Sequence, residues 1–242
     1  ARLWDEFTHL YASLFDNPEP HLKIVKALNT KRSGLTRAEI SEATKIPPNG
    51  NLTRVLKELE DSGFVLSYKD WTKTKKGNIY RLSDFYTIFY LDFVQENYGD
   101  DENFWTNRID SSMHRAWTGF AFELLCMNHI PQIKAALGIS GVATRQFSWR
   151  GEDESGKRSQ IDLLIDRRDG VIDLCEVKFA SGLYAITKGY ESELVDKIEV
   201  FRNATKTNKS IHLVMVTTFG LSANSHTSLV QNSITLDDLF LH

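Results

Sequence analysis

Residue types and spacing in the second half of the sequence suit metal-ion chemistry. Glu176 and Lys178 lie two residues apart in the apolar run 171–179, so on a β-strand their side chains share one face. A second apolar run, 161–165, precedes them, and the intervening segment 166–170 has the Asp-Arg-Arg-Asp-Gly sequence of a tight turn. The two runs are therefore predicted to form a β-hairpin.

A hairpin whose turn centres on Asp169 places Asp162 directly opposite Glu176, and cross-strand neighbours lie about 5 Å apart. Two carboxylates this close repel each other unless a cation lies between them, and a hard cation such as Mg²⁺ binds such oxygen atoms. Lys178 would then stabilise a phosphorane-like transition state or orient the attacking water. Gln160 would point to the same face as Asp162 and support it. The alternative is an exposed strand face, because charged pairs on strands are common, but the apolar neighbours favour the metal site.

The surrounding pattern predicts a mixed α/β domain over residues 99–242. Helices are predicted over 117–130 and 191–204, and a buried strand over 211–217. Helix, hairpin, helix and strand in this order indicate a central mixed sheet with helices packed against it. The first of these helices carries a single acid, Glu123, which is a third candidate acid for the site.

Residues 1–98 show a different pattern, in which a first helix is followed by three more predicted helices and a pair of strands. Thr36 and Glu39 form a capping box at the start of the second of these three helices. The strands are predicted over 64–68 and 78–82. Three helices and a hairpin are the order of a winged helix-turn-helix, so we expect an N-terminal winged helix followed by the α/β domain.

Basic residues on the third helix and on the hairpin suit contact with nucleic-acid phosphates. Arg54 and Lys57 lie away from the apolar stripe of the helix, and Trp71 would stack on a base or sugar. The alternative is a solvated hairpin whose lysines serve solubility, and winged helices also act as structural or protein-binding modules. The predicted nucleic-acid-binding residues are Arg54, Lys57, Lys69, Lys73, Lys75, Lys76 and Arg81.

Asp162, followed across a hairpin by Glu176-Val177-Lys178, resembles the PD-(D/E)XK nuclease motif. Glu123 fits the acid that this family often carries on the helix before the hairpin. A winged helix followed by these motifs resembles the C-terminal region of a group of prokaryotic AAA+ ATPases, which carry a nuclease-like domain after the winged helix. This chain contains no G-x-x-x-x-G-K-[ST] phosphate loop, so the resemblance implies an upstream ATPase domain as a partner and no ATP site in this chain.

The resemblance implies a restriction-endonuclease-like domain that hydrolyses phosphodiester bonds of DNA with Mg²⁺ or Mn²⁺. Asp162 and Glu176 would bind the metal, and Glu123 would assist as a ligand or through water. Lys178 would be the electrophilic or positioning residue, and the backbone carbonyl of Val177 would be a further ligand. Two other functions stay open: a catalytically silent nuclease-like fold that binds DNA or protein, and a transcriptional regulator whose α/β domain is a sensor or dimeriser.

Composition narrows the class of protein without choosing among these functions. The net charge of −3 argues against a protein coated in nucleic acid and leaves room for a local basic patch. Cys126 and Cys175 lie in apolar stretches, which predicts buried thiols in a reducing, cytoplasmic compartment. No apolar run approaches the roughly 20 residues of a membrane span. The aromatic segment 84–98 lacks Lys and Arg, so packing in a core or between domains is favoured over a membrane-surface helix. The start at Ala1 suits a fragment of a longer protein or removal of the initiator methionine.

Overall fold

The computed structural model describes residues 2–71, 78–95 and 103–241, and they divide into two compact units. The first unit comprises residues 2–69, 78–95 and 103–114, and the second comprises residues 70–71 and 115–241. The predicted domain boundary between residues 98 and 99 lies outside the described residues.

The first unit contains the predicted order of helices and strands. Its elements are α1 (Arg2–Leu14), α2 (Glu19–Asn29), β1 (Leu35–Thr36), α3 (Arg37–Thr44), α4 (Gly50–Asp61), β2 (Val65–Asp70), β3 (Asn78–Leu82) and α5 (Phe85–Phe89). Helix α5 continues as a π-helix (Tyr90–Val94), and a 3-10 helix (Thr106–Arg108) follows. Both β1 and β2 pair with β3 in antiparallel fashion. The short strand β1 was not predicted, because two residues carry no periodic pattern.

Local sequence accounts for the boundaries of these helices. The capping box predicted at the start of α3 is confirmed, since Thr36 accepts from the Glu39 amide and Glu39 accepts from the Thr36 amide. Helix α4 ends before Gly63, whose φ of +77° is a conformation that suits glycine. The aromatic segment packs in the core of the first unit as predicted: the Phe7 and Tyr90 rings stack with centroids 3.9 Å apart.

Beyond residue 111 the chain forms a mixed sheet with helices, as predicted. Its elements are α6 (Ser112–Asn128), α7 (Ile130–Ala136), β4 (Thr144–Glu152), β5 (Arg158–Arg167), β6 (Val171–Lys178), α8 (Lys188–Thr205), β7 (Ser210–Thr217), β8 (Val230–Thr235) and the 3-10 helices Thr227–Leu229 and Asp237–Leu239. The strands lie in the order β4-β5-β6-β7-β8. The β4–β5 and β5–β6 pairs are antiparallel, whereas β6–β7 and β7–β8 are parallel.

Side chains from both faces of this sheet are buried, and alternation along β6 shows how. Leu174 packs in a cluster with Leu194 and Phe201 of α8, while its neighbour Cys175 packs in a second cluster with Phe122 and other residues of α6 and α7. Helices therefore cover the two faces of β6. Charged residues in this strand are consequently surrounded by apolar side chains, so they need ion-pair or hydrogen-bond partners to remain charged.

Both cysteines are free thiols in the interior, as the sequence predicts. Cys126 and Cys175 belong to the same apolar cluster, and burial raises the pKa of Cys126 to about 12. A thiol with so high a pKa is a poor nucleophile and a poor metal ligand near neutral pH. Among the described helices, none has the length and apolar composition needed to cross a membrane.

Candidate functional site

The β5–β6 hairpin sets the geometry of the candidate site. Its register pairs Leu163 with Cys175, and Gly170, with a φ of +88°, completes the turn. The β5–β6 pairs end at Leu163 and Cys175, one residue short of Asp162 and Glu176. Beside Asp162 the β4–β5 register shifts, between the pairs Phe147–Leu164 and Trp149–Ile161. Asp162 is partly exposed, whereas Glu176 is buried, with 8% of its surface exposed.

Glu176 has three polar partners around its carboxylate. Lys197 Nζ lies 2.6 Å from Oε2, Tyr190 donates its hydroxyl hydrogen to Oε1 across 2.7 Å, and Lys178 Nζ lies 3.1 Å from Oε1. Burial alone would raise the pKa of Glu176, but the charges of Lys197 and Lys178 and these hydrogen bonds outweigh it and lower that pKa. The buried carboxylate is therefore ionised at neutral pH.

Lys178 is fixed by the same group of residues. Burial acts to lower the pKa of its ammonium, but Glu176 above all, with smaller contributions from Tyr184 and Glu123, raises it. The ammonium also lies 5.0 Å from the centroid of the Tyr190 ring, within the range of a cation–π contact. Lys178 is thus a protonated lysine that can act as a fixed positive charge.

Glu123 lies on α6, whose residues pack on the opposite face of the sheet from α8. Its carboxylate is close enough to Lys178 to contribute to the raised pKa of that lysine. Within residues 2–71, 78–95 and 103–241, no three His, Cys, Asp or Glu side chains are gathered closely enough to hold a metal ion. Glu123 therefore does not join Asp162 and Glu176 in a three-acid cluster here. Val177 packs its side chain against the α6 cluster.

Gln160 contacts Asp162, the acid that it was predicted to support. Its amide nitrogen donates to Asp162 Oδ1 across 2.6 Å, while its oxygen accepts from Arg150 Nε at 3.0 Å and from Arg150 Nη2. Arg150 comes from β4, where it pairs with Gln160. This chain of hydrogen bonds orients Asp162. It links the carboxylate through Gln160 to the guanidinium of Arg150, which is an exposed residue.

Sequence reasoning missed the contribution of α8 to the site. Tyr190 and Lys197 are seven residues apart, with Leu194 between them, and so lie along one stripe of the helix. Leu194 packs against the sheet, which means that this stripe faces the strands. A lysine on the apolar stripe of a helix was the signal that could have identified Lys197 as a partner of a buried acid.

Apart from Arg81, the basic residues predicted to contact nucleic acid divide into three groups. Arg54 and Lys57 are exposed on α4, where Arg54 pairs with Glu58 at 2.6 Å and Lys57 pairs with Asp61. Lys69 is also exposed. The third group lies outside the described residues and consists of Lys73, Lys75 and Lys76.

Two residues need correction. Arg81 of β3 is only 4% exposed, so its guanidinium is not available to a surface phosphate. Trp71 belongs to the second unit, where its ring packs edge-on against Phe147 at 5.1 Å and Phe201 at 5.4 Å. Its role is packing rather than stacking on a base.

No protein-family model, curated protein or solved structure matches this chain, so the functional argument rests on its own residues. Asp162 and Glu176 offer carboxylate oxygens, the donors that Mg²⁺ and Mn²⁺ prefer. The ionised state of Glu176 also suits a cation. The donor set therefore fits a divalent ion, although such an ion would compete with the lysines that now contact Glu176.

Proposed function

We propose that the second unit hydrolyses phosphodiester bonds of DNA with the help of Mg²⁺ or Mn²⁺. The observation that supports the proposal is the β5–β6 hairpin, whose last pair, Leu163 with Cys175, directly adjoins Asp162 and Glu176. Glu176 is buried and ionised, and Lys178 lies beside it. The helix, hairpin, helix and strand predicted for the α/β domain are all present. An acid pair beside a lysine suits metal-assisted hydrolysis of a phosphodiester.

The residues divide the chemical work as follows. Asp162 and Glu176 would hold the cation, with the carbonyl of Val177 as a further ligand, and Glu123 would act through water from α6. A divalent ion held there would supply Lewis-acid chemistry, polarising a phosphoryl oxygen and lowering the pKa of a bound water. Lys178 supplies a fixed positive charge to the developing phosphorane. The Gln160 amide keeps Asp162 oriented, as its 2.6 Å hydrogen bond indicates.

The first unit supports the same proposal as a winged helix that delivers the nuclease-like unit to DNA. Arg54, Lys57 and Lys69 are exposed cations on α4 and β2. The partners of Arg54 and Lys57 are surface acids on the same helix, and such pairs are worth little. A DNA phosphate can therefore replace them. By the resemblance, an AAA+ ATPase domain upstream is the partner that brings this region to its substrate.

The first test is calorimetric titration of Mn²⁺ into the full chain and into Asp162→Asn/Glu176→Gln. We expect binding by the wild type and its loss in the double variant, because two ligands lose their charge. Glu42→Gln/Glu199→Gln is the matched control, since it removes two exposed helix carboxylates. Binding that all three proteins share would contradict the proposed site. Cleavage of labelled single-stranded, duplex and branched DNA then tests hydrolysis directly.

A second candidate function is a catalytically silent module that binds DNA or protein. The observation that favours it is the set of partners on Glu176, whose two oxygens are engaged by Lys197, Tyr190 and Lys178. In that case the lysines would be permanent structural partners of the acid. Tight DNA binding without Mn²⁺ binding, even with DNA present, would establish this function over hydrolysis.

A further inference from the structure

We infer that Lys197 is the counter-ion of Glu176 in the metal-free protein, and that a divalent metal ion must displace its ammonium in order to bind this carboxylate. The inference rests on the proposed function, because it concerns access of the metal to the same carboxylate. It assigns to α8 a direct influence on metal affinity. Lys197 is in this sense a positioning residue that holds the site in a closed, metal-free state.

Lys197 makes a largely buried ion pair held by the packing of α8, and not an ion pair on the protein surface. Its ammonium lies 2.6 Å from Glu176 Oε2, and the side chains are 22% and 10% exposed, respectively. Helix α8 is fixed against the sheet by Leu194 and Phe201. Because the helix is anchored on both sides of Lys197, the ammonium has a defined location over the end of β6.

The two oxygens of Glu176 have different partners, and this difference makes displacement feasible. Tyr190 and Lys178 both contact Oε1, whereas Lys197 contacts Oε2. Removal of Lys197 would open Oε2 while Oε1 keeps a hydroxyl and an ammonium. Glu176 can therefore exchange one cation for another without leaving its position in β6.

Electrostatics make Lys197 and a divalent cation alternative partners of this oxygen. Two cations cannot share one carboxylate oxygen closely without repulsion, and the repulsion is larger in a buried site than in water. Asp162 offers no such obstacle, because its observed donor is the neutral amide of Gln160. The cost of metal binding is thus concentrated at the Lys197–Glu176 contact. Once displaced, the long, flexible lysine side chain can turn its ammonium to a DNA phosphate beside the metal.

The test is Mn²⁺ calorimetry on the full chain and on Lys197→Gln, with Lys188→Gln as the matched control. Glutamine keeps a hydrogen-bond donor for Glu176 and removes the charge, while Lys188 is exposed on the same helix. We expect Lys197→Gln to bind Mn²⁺ about tenfold more tightly than the wild type, and Lys188→Gln to match the wild type. Thermal unfolding is the second readout: without metal the variant should melt below the wild type, and Mn²⁺ should raise its Tm more.

The outcomes separate this inference from the proposed function. Tighter Mn²⁺ binding by Lys197→Gln than by the wild type supports displacement of Lys197 by the metal. Mn²⁺ binding by Lys197→Gln when the wild type shows none supports it as well. Equal or weaker binding by Lys197→Gln, with wild-type binding intact and abolished in Asp162→Asn/Glu176→Gln, overturns the role of Lys197 and leaves the metal site standing. Absence of binding in all of these proteins overturns both. If Lys197→Gln does not fold, Lys197→Arg tests the same point, because its bulkier guanidinium should hold Glu176 and weaken Mn²⁺ binding.

Discussion

The Tyr190 hydroxyl donates a hydrogen bond of 2.7 Å to Glu176 Oε1, which joins the first turn of α8 to the buried acid of β6. Tyr190→Phe removes this bond and leaves the ring in place. Because the acceptor is charged and buried, we expect the variant to lose about 1.5 kcal/mol of unfolding free energy. Urea unfolding of the two proteins at neutral pH measures the difference. Equal stability would mean that water replaces the hydroxyl.

The pH dependence of stability should report on Glu176. Its pKa in the folded protein is lowered from an ordinary value of 4.5, because Lys197 and Lys178 outweigh the opposing effect of burial. A lowered pKa contributes stability above about pH 4.5 that is lost as the pH falls through the folded pKa. Urea unfolding between about pH 3 and pH 7 should therefore show a smaller acid loss for Glu176→Gln than for the wild type. Identical slopes would contradict a depressed pKa.

The contribution of Asp173 to the pH dependence of stability should have the opposite sign to that of Glu176. It is fully buried, the Arg167 guanidinium lies 3.5 Å from it and the His212 ring 3.9 Å from it, and burial raises the pKa of its carboxyl from 3.8. A raised acid pKa costs stability as the pH rises through the folded pKa. We expect Asp173→Asn to gain stability over the wild type near pH 8, and to lose that gain near pH 4.

Asp169→Asn is the matched control for that comparison. Asp169 also contacts Arg167, but its exposed carboxylate has a lowered pKa because it accepts hydrogen bonds from the guanidinium. Its removal should not stabilise the protein at any pH. A stability gain in both variants would show that loss of negative charge near the turn, rather than relief of a buried charge, is responsible.

DNA binding by the first unit can be tested on α4. Arg54→Ala/Lys57→Ala should weaken binding to a labelled duplex and reduce the slope of log affinity against log salt by about one for each phosphate that is no longer neutralised. Lys23→Ala is a suitable control, because Lys23 is an equally exposed member of an i, i+4 pair on α2. Anisotropy titrations at several salt concentrations measure both quantities. An unchanged slope in the double variant would remove α4 from the DNA-binding surface.

Much of the fold could be predicted because the relevant signals are local. The capping box of Thr36 and the turn around Gly170 are specified by a few neighbouring residues, and both occur where predicted. The long apolar runs of β6 and β7 likewise allowed only buried strands. In contrast, β8 contains one buried side chain, Ile234, and a polar strand at the edge of a sheet has no periodicity that distinguishes it from a loop.

The candidate site was only partly predictable for a different reason. The alignment of β5 with β6 as far as Leu163 and Cys175 follows from counting residues across a hairpin, which the sequence permits. The register shift of β4 beside Asp162 has no such local signal. The partners of Glu176 depend on how α8 crosses the sheet, and that depends on packing between residues far apart in the chain. The contacts of Tyr190 and Lys197 with Glu176 are therefore established by the structure, as is the burial of Arg81, although the apolar stripe of α8 marked Lys197 as unusual.

The membership of Trp71 in the second unit has a consequence for dividing the protein into fragments. A fragment that starts at residue 115 would lack Trp71, so the Phe147 and Phe201 rings would lose their edge-on contacts with its indole. It would also lack the backbone hydrogen bond that Trp71 donates to Ser148 in β4, leaving that stretch of strand open to pairing with another molecule. Limited proteolysis between the units would thus yield a C-terminal piece prone to aggregation, unless it retained the short segment around Trp71.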